Sequence, residues 1–505
     1  MHRPSTAEAE IADELSAVRP GLVPRYTGGL PDARAAVLSR LWRGLAHEPL
    51  PWIVHRDQGR DGLTLRLADG RRLHGPRADP YATGAYVTAV RLDGVPYDDP
   101  ARLMTDLAVP HSAVFAVELG HSVASLALSR AGGQVHPRDW PARDWEWEQR
   151  VVDGHPFHPN CRSRPGFSVA EQLAYGPEHR PVVELALVPV PAAECLVTGV
   201  WPDWLREAGR VVVPVHPWQA AHVLKRKGER QGEQRLAAHP LMALRTLALP
   251  DGPHVKTALS ARLTSSVRDI SLGSVAASAV LSEFGEAVAA RTDGLLHITR
   301  TLGAVAAGSA DLAAVLRESP EEYAADGERV VPVAALATTG LPRSPDWLGR
   351  FARLALTVGM RLLGLGVALE AHGQNLLVVL SPAGDPVRLV YRDLADLRVG
   401  PARLARHSLV LPELPARMVT DDERVLRRKL FGSLVAGALA GTAGSGPVLR
   451  AALEDAVRDL PRTPDRAALV GAPLPAKALT LMRLSPRTAG DQWAELPNPL
   501  RYEDM

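Results

Sequence analysis

The sequence has few cysteines, no long apolar run and almost no net charge. Cys161 and Cys195 are too few for a disulfide framework or for an iron–sulfur cluster held by protein thiolates. No uncharged run approaches the ~18 apolar residues of a membrane span, and the best candidate, Leu434 to Ala443, is short and rich in glycine and alanine. The polar N-terminus lacks the apolar core of a secretory signal. We therefore expect a soluble, cytoplasmic protein.

The charge balance excludes a broad electrostatic partner. The net charge at pH 7 is +2, so bulk electrostatics indicate neither a nucleic-acid partner nor an anionic membrane. Any functional positive charge must therefore be local. With 505 residues, 46% of them hydrophobic, the chain is typical of a globular protein with a large core. At about 150 residues per domain, two to four domains are expected.

Hydrophobic periodicity predicts an α+β protein with a helical start, a sheet-rich middle and a mixed end. Helical spacing covers about 6–46 and 103–131, and it returns at 348–364 and 426–443. Strand-like runs occupy 182–215, 376–380 and 387–391, and Asp69-Gly70 indicates a hairpin turn. The stretch 134–149, with three tryptophans that we expect to pack in the core, is a plausible joint between lobes.

The first segment that could carry chemistry is GHPFHPNCRSRPGF, residues 154–167. Its prolines make a rigid turn that presents side chains at low entropic cost. One interpretation is an anion clamp of arginine forks and imidazole donors. The spacing of His155 and His158 also permits zinc, although two nearby arginines argue against a dication. The third interpretation is a structural loop whose histidines cap neighbouring backbone.

The second segment is VKTALSARLTSSVRDIS, residues 255–271. In one extended strand, Lys256, Arg262 and Thr264 would share a face, but 256–264 would then stretch ~26 Å at ~3.3 Å per residue. Both ends reach one triphosphate only if the strand bends. A helix that began near Thr264 would place Thr264 and Arg268 on one face, with its amides facing phosphate. The alternative is a solvated amphipathic strand followed by a capped helix.

The third segment is EAHGQNLLVVL (370–380) with YRDLAD (391–396) after it. Asn375 and Asp393 lie at the two ends of a predicted hairpin, which suits a nucleotide–magnesium site. The alternative is a surface hairpin with polar ends. A kinase-like catalytic base, a Walker motif and a glycine-rich loop before a lysine strand are all missing. A nucleotide site used for another displacement therefore fits better. Gly120-His121-Ser122 resembles a hydrolase nucleophile elbow, but it lies inside a helical pattern.

Seven segments in order resemble the NRPS-independent siderophore synthetases of the aerobactin-synthetase (IucA/IucC) type. They are ELGHSVASL, GHPFHPNCRSRPGF, VPVHPWQ, KTALSARLTSSVRDI, EAHGQNLLVV, RDLADL and PLPAKALTLMRL with a later NPL. The resemblance runs almost from end to end. It implies a cupped-hand fold with a thumb (1–135), fingers (136–335) and palm (336–505).

The resemblance implies an enzyme that adenylates citrate or a related di- or tricarboxylic acid with ATP and Mg²⁺, releasing pyrophosphate. An amine, hydroxylamine or alcohol then attacks the acyl-adenylate, in siderophore biosynthesis or a similar pathway. The expected partners are these small molecules and a second copy of the chain in a homodimer, with no nucleic acid and no membrane. Two alternatives are a small-molecule kinase and a non-catalytic protein that binds a ferric siderophore or citrate.

Matching positions imply roles for individual residues. The catalytic group is His158, Lys256 and Arg268, which would neutralise charge at the α-phosphorus. The same comparison implies that Asp393 and Asn375 hold magnesium, and that the nucleotide also contacts His155, Arg162, Arg245, Thr246, Thr264, His372, Gln374 and Asn375.

The chain departs from the family pattern at three positions. Arg162 stands where lysine is usual, Ala243 replaces a serine, and Asp269 follows Arg268 where threonine or serine is common. The chain is also somewhat short for the family. These departures leave the adenylation site mostly intact and leave the acyl substrate open.

Overall fold

The structure, a computed structural model, describes residues 6–133, 136, 140–225, 234–263 and 266–501. The first part of the chain is helical with a five-stranded antiparallel sheet, as the periodicity predicts, and Gly70 makes the predicted turn with a φ of 92°. Its elements are α1 (Ala7–Val18), α2 (Val23–His47), β1 (Ile53–Gly59), β2 (Gly62–Leu67), β3 (Arg72–Gly75), β4 (Val90–Leu92), β5 (Val95–Tyr97), α3 (Pro100–Leu107) and α4 (Ser112–Gly132).

Helix α4 is the most apolar long helix of this first part. Within the described ranges it is the one helix that could cross a membrane by length and composition, and 67% of its most apolar window is buried inside the protein. It packs against α2 and α3 in a core that includes Trp42, Leu126 and Phe115. Ser122, the serine of the elbow-like motif, is fully buried in mid-helix, and its hydroxyl donates to the Pro159 carbonyl at 2.8 Å. It therefore holds the loop 154–167 in place.

The middle of the chain forms, within the described residues, a nine-stranded antiparallel sheet in the order β7-β16-β17-β12-β11-β10-β6-β9-β8. The elements up to residue 268 are α5 (Asp144–Gln149), α6 (Val169–Tyr175), β6 (Val183–Pro191), β7 (Cys195–Gly199), β8 (Arg206–Glu207), β9 (Arg210–Val215), α7 (Pro217–Gln219), β10 (Arg235–Pro240), β11 (Thr246–Ala248), β12 (His254–Thr257), β13 (Leu259–Leu263) and β14 (Ser266–Arg268). Those from 272 to 336 are α8 (Leu272–Ala276), α9 (Ser278–Ala289), β15 (Leu296–Ile298), β16 (Thr301–Ala307), β17 (Ala313–Arg317), β18 (Arg329–Pro332) and α10 (Val333–Leu336).

The segment 256–268 bends, as a shared phosphate site requires. Strand β12 lies in the nine-stranded sheet and ends at Thr257, whereas β13 begins at Leu259 and pairs with β14 in a separate two-stranded sheet. Between them, the Ala258 N–H donates to the Ala313 carbonyl at 2.9 Å. Among the described residues after 263, β14 occupies Ser266–Arg268 in place of the predicted helix, and the next helix, α8, begins at Leu272. Thr264 lies outside the described residues.

The last part combines a mixed four-stranded sheet, β15-β21-β20-β18, with packed helices; β15 runs parallel to β21. Its elements are α11 (Pro345–Leu365), β19 (Val367–Ala368), β20 (Leu376–Leu380), β21 (Pro386–Tyr391), β22 (Arg398–Val399), α12 (Pro401–Arg406), α13 (Glu423–Leu430), α14 (Ala440–Ala443), α15 (Gly446–Arg458), α16 (Pro464–Gly471), β23 (Leu474–Lys477), α17 (Leu479–Leu484) and β24 (Trp493–Leu496). A π-helical stretch, Phe431–Leu439, joins α13 to α14. The predicted α+β class with antiparallel and mixed sheets is confirmed.

Three hydrophobic clusters underlie these parts. One fills the first part, one lies against the nine-stranded sheet, and one fills the last part. Helix α9 and strand β15 precede residue 335, yet Phe284, Val288 and Leu296 pack in the last cluster. Helix α17 returns to the first part of the chain, where the buried Glu48 carboxylate accepts hydrogen bonds from the N–H groups of Thr480 (3.1 Å) and Leu481 (2.7 Å).

Candidate active site

The site centres on Asp393, which follows strand β21. Its two carboxylate oxygens accept hydrogen bonds from Lys256 Nζ at 2.7 Å and from an Arg317 guanidinium nitrogen at 3.0 Å. Lys256 lies on β12 and Arg317 on the neighbouring strand β17. Asp393 has a φ of 74°, an uncommon backbone conformation for a residue with a side chain. A carboxylate of the last part of the chain therefore meets two cations of the nine-stranded sheet.

Two further arginines extend this group of cations. Arg245 donates to the backbone carbonyls of Arg268 (2.5 Å) and Asp269 (2.7 Å), which ties the loop before β11 to the end of β14. Burial lowers the pKa of Arg245 to about 10, against the charge of Asp393. Burial also lowers the pKa of Arg268, and Asp393 and Glu370 oppose that shift. Both arginines thus lie within reach of the Asp393 charge.

The electrostatics of Lys256 and Asp393 show an excess of positive charge. Burial, together with Arg317 and Arg245, lowers the pKa of Lys256 from 10.5 to about 7, although the Asp393 carboxylate opposes the shift. Burial alone would raise the pKa of Asp393, but Arg317 and Lys256 hold it well below its ordinary value. Burial is the largest cause of the lowered Lys256 pKa, and Arg317 and Arg245 add to it, so several cations face the single Asp393 carboxylate. Such a group suits a polyanion.

Three histidines near these cations share one pattern of hydrogen bonding, which indicates a neutral ring. The Nδ1 atoms of His155, His158 and His372 accept backbone N–H groups two residues further on, at 3.1, 3.0 and 3.3 Å. This pattern leaves each Nε2 as the donor of a neutral ring. Burial, then Arg483 and Arg268, lowers the pKa of His158 to about 3. Burial, then His158 and His372, holds the pKa of His155 well below its ordinary value, so these rings are neighbours.

The zinc interpretation of His155 and His158 gains no support from this geometry. Their ring centres are 6.1 Å apart, and both Nδ1 atoms accept backbone hydrogen bonds. The described part of the chain contains no group of three His, Cys, Asp or Glu residues that could hold a metal ion. The loop presents neutral imidazole donors instead.

The predicted hairpin places its polar residues next to Asp393. Asn375 precedes β20, and its side-chain amide donates to the Glu370 carbonyl at 3.3 Å. Arg392 donates to the Gln374 carbonyl through two guanidinium nitrogens, at 3.1 and 2.8 Å. Across the nine-stranded sheet, Thr246 is the direct strand partner of Lys256.

Arg162 has a different environment from the one that the sequence predicts. Its guanidinium donates to the carbonyls of Val151 and Val152 (2.7 Å for the latter) and lies 3.6 Å from the Glu178 carboxylate. The fully buried Glu178 also pairs with Arg164 at 2.8 Å. The structure therefore does not bring Arg162 to Asp393.

Sequence reasoning missed several charged residues at the site. Arg317 ends an otherwise apolar strand, and nothing in its neighbourhood signalled a role. Lys477 contacts the Glu370 carboxylate at 2.7 Å, and Arg483 contacts that of Glu118, which also accepts from Asn160. Lys477 and Arg483 belong to PLPAKALTLMRL, a segment that contributed to the family resemblance but to which the sequence analysis assigned no chemical role.

The donor set fits a nucleotide better than it fits a metal held by the protein alone. Both oxygens of Asp393 are in ion pairs, whereas the hydrogen bond of Asn375 to a carbonyl uses its amide nitrogen and does not occupy the amide oxygen. Magnesium commonly uses one or two carboxylates together with phosphate oxygens and water. The protein offers one such carboxylate, so magnesium binding by Asp393 and Asn375 stays a prediction.

Comparisons with known proteins identify the fold. The Petrobactin Biosynthesis Protein AsbB from Bacillus anthracis has a similar structure, with a TM-score of 0.75, 19% identity and coverage of 99% of this chain and 98% of that one. ATP-bound aerobactin synthetase IucA from Klebsiella pneumoniae gives a TM-score of 0.70 at 18% identity, covering 93% and 99%. The fold is therefore that of the siderophore synthetases.

Sequence comparisons agree with the structural ones. The IucA / IucC family model matches residues 144–338, and a model described as Ferric iron reductase FhuF-like transporter matches 345–492. A citryl-spermidine:spermidine ligase of Bacillus anthracis is 25% identical over 312 residues, which span 50% of this chain and 51% of that relative. These matches agree with the resemblance to the NRPS-independent siderophore synthetases that the sequence motifs carry. Residues 345–492 contain no cysteine, so this segment lacks the thiolates that hold iron–sulfur clusters.

Proposed function

We propose that this protein is an ATP-dependent synthetase that adenylates a carboxylate and joins the acyl group to an amine, hydroxylamine or alcohol. The observation that carries the proposal is the cluster of Lys256, Arg245, Arg268 and Arg317 around the Asp393 carboxylate. Cationic side chains in a sheltered site attract and hold phosphate oxygens. The class of acid, citrate or a related di- or tricarboxylic acid or its monoamide, belongs to the same proposal.

The proposed reaction needs no nucleophile from the protein. A carboxylate oxygen attacks the α-phosphorus of ATP, the bond to the β-phosphate oxygen breaks, and pyrophosphate leaves. The amine or hydroxyl then attacks the acyl carbon, the bond to AMP breaks, and the nucleophile loses a proton. The product is an amide or an ester.

The side chains supply binding and charge stabilisation. Lys256, Arg268 and the neutral His158 donate to the phosphate oxygens on which negative charge develops, and donors fixed in place by the fold stabilise that charge. The proposed nucleotide contacts are His155, Arg245, Thr246, Thr264, His372, Gln374 and Asn375. Asp393 and Asn375 are the proposed protein ligands of magnesium, which stabilises the leaving pyrophosphate when bound.

The proposal includes the organisation of the protein. A thumb (1–135), fingers (136–335) and palm (336–505) would form a cupped hand, with the nucleotide between fingers and palm. The Lys256–Asp393 ion pair joins these last two parts and supports that placement. A homodimer in the cytoplasm completes the proposal.

Product analysis tests this function. The purified protein would be incubated with ATP, Mg²⁺ and hydroxylamine together with citrate, succinate, 2-oxoglutarate or their monoamides. We expect AMP, pyrophosphate and an acyl hydroxamate with at least one acid. ADP would instead indicate a kinase. Tight binding of citrate or a ferric siderophore without turnover would indicate a binding protein, and either result would overturn the proposal.

A further inference from the structure

Helix α5, which joins the first part of the chain to the nine-stranded sheet, carries two buried carboxylates one turn apart. The first, on Asp144, lies 2.9 Å from His254 Nε2, and both side chains are at least 96% buried. His254 is two residues before Lys256 on β12, so the two side chains lie on the same face of that strand. Asp144 therefore contacts the strand that presents Lys256.

The second carboxylate, on Glu148, contacts two other parts of the site. One oxygen accepts a hydrogen bond from the Arg392 guanidinium, and the other accepts the Met242 N–H at 3.1 Å. Met242 begins the loop that carries Arg245. Glu148 is 1% exposed, so its charge is compensated by these protein donors.

Arg392 links Glu148 to the hairpin of β20 and β21. It immediately precedes Asp393, and its backbone N–H donates to the Asn375 carbonyl at 3.0 Å. Its guanidinium donates to the Gln374 carbonyl while it also contacts Glu148. One side chain thus connects the start of β20, the end of β21 and helix α5.

The two contacts of α5 act together because they belong to one rigid unit. Residues four apart lie on the same face of a helix, and the Asp144 N–H is itself held by the Glu321 carboxylate at 2.7 Å. Burial would raise the pKa of Asp144, but His254 first and then Arg392 lower it. Asp144 therefore interacts with His254 of the sheet and Arg392 of the hairpin, and Glu148 contacts the same Arg392.

We infer that α5 is a positioning element, in which Asp144 and Glu148 fix the Lys256 strand and the Asp393 hairpin relative to each other. The inference rests on the proposed function where it concerns ATP. It assigns Glu148 and Arg392 as positioning residues, since they act through the residues beside them.

Two variants and a matched control test this inference. Glu148→Gln removes the charge that holds Arg392, whereas Arg392→Lys keeps a charge but loses the fork to Gln374. The control is Glu328→Gln, which breaks a comparable pair with Arg388 on the same hairpin, where Arg388 also donates to the Tyr323 carbonyl. Arg388 lies toward the turn of the hairpin, away from Asp393.

The first readout is the kinetics of hydroxamate formation. Partners that orient a binding group typically contribute about 10–100-fold, so we expect KM for ATP to rise about tenfold in Glu148→Gln and Arg392→Lys. The double variant should lose no more than the more impaired of the two single variants, because both changes disrupt the same Arg392 link between α5 and the hairpin. Glu328→Gln should keep the parental KM.

The second readout does not require ATP. The sequence contains five lysines, Lys225, Lys227, Lys256, Lys429 and Lys477, so acetylation by acetic anhydride can be followed at each by mass spectrometry. Lys256 should react slowly in the parent protein because it is buried and paired with Asp393. We expect severalfold faster acetylation of Lys256 in both positioning variants, with no change at the buried Lys429, whose reaction reports global unfolding.

The outcomes separate this inference from the proposed function. If the parent protein makes no acyl hydroxamate, the proposed function is wrong. Acetylation of Lys256 would still test the role of α5, because it does not depend on ATP. If Lys256 acetylation in both folded variants equals that of Glu328→Gln, the positioning role is wrong. Should Glu148→Gln fail to fold, the charge-retaining Arg392→Lys decides the question alone.

Discussion

Two groups of arginines differ in how their charges are compensated. In the loop 154–167, Arg162 and Arg164 face the fully buried Glu178, and backbone carbonyls accept the remaining donors of Arg162. In the nine-stranded sheet, Arg317 shares the Asp393 carboxylate with a lysine that titrates near pH 7. Glu178 and two backbone carbonyls accept the donors of the first group, whereas Lys256 and Arg317 share one carboxylate that Arg245 and Arg268 also influence. Under the proposed function, the first group is structural and the second binds the ligand.

The largest expected effect is on the stability contributed by the structural group, Arg162 and Arg164 with Glu178. Glu178→Ala leaves two buried arginines without their carboxylate, and breaking a buried pair in this way costs about 3–5 kcal/mol of unfolding free energy. Denaturant titration measures the loss. The control is Asp57→Ala, which breaks the exposed pair with Arg66 and should cost less than about 1 kcal/mol. Equal losses in both variants would contradict the comparison.

The next effect is on the proposed ligand-binding group. Arg268→Ala should lower the rate of acyl-adenylate formation about 10²–10³-fold, or about 2.7–4 kcal/mol, the range seen when one donor to a developing negative charge is removed. Its midpoint of denaturation should match that of the parent protein. Hydroxamate trapping at saturating ATP gives the rate, and a variant with normal acyl transfer would contradict the assignment.

The pH dependence of Lys256 gives two effects of opposite sign. As pH rises through about 7, the lysine loses its proton, and the affinity for ATP should fall by up to about tenfold per pH unit. Between the folded-state pKa of about 7 and the ordinary lysine value of 10.5, Lys256 keeps its proton only in the unfolded chain. The free energy of unfolding should therefore rise with pH over this range. Calorimetric titration and denaturation at several pH values measure the two. In Lys256→Met, both dependences should flatten, and an unchanged affinity profile in that variant would exclude Lys256 as the titrating group.

The smallest effect sharpens the assignment of Arg162. Arg162→Lys keeps the charge beside Glu178 but loses hydrogen bonds to two carbonyls, which should cost about 1–2 kcal/mol of unfolding free energy. KM for ATP should stay within about twofold, because a charge-retaining change away from the phosphates removes no binding donor. A rise beyond about tenfold would favour the sequence-based prediction that Arg162 contacts the nucleotide.

The sequence predicted those features that depend on local pattern. Periodicity located helices such as α11 and the hairpin strands β20 and β21 to within a few residues, because each buries one face or a continuous apolar run. Lys256 and Thr264 can reach one triphosphate only if the strand bends after Lys256, and strand β12 does end at Thr257, with β13 beginning at Leu259. The helix considered near Thr264 is replaced by β14, whose partner strand lies just upstream.

The missed residues depend on contacts between distant segments. Arg317 reaches Asp393 only because β17 pairs with β12, and no spacing in the sequence signals that pairing. Arg162 lies in a segment whose composition suits anion binding, but the carboxylate of Glu178, 16 residues later in the sequence, pairs with it. Local composition therefore identified the segments, whereas tertiary contacts decided which arginines lie beside Asp393.

The docking of α17 on Glu48 has a consequence for how the protein is made. A nascent chain folds its N-terminal segments first, yet the Thr480 N–H that Glu48 binds is translated 432 residues later. Until then this carboxylate lacks its partners from α17, the N–H groups that oppose the burial-raised pKa of Glu48 in the folded protein. The first part of the chain thus reaches its final state only after residues 480 and 481 have been synthesised.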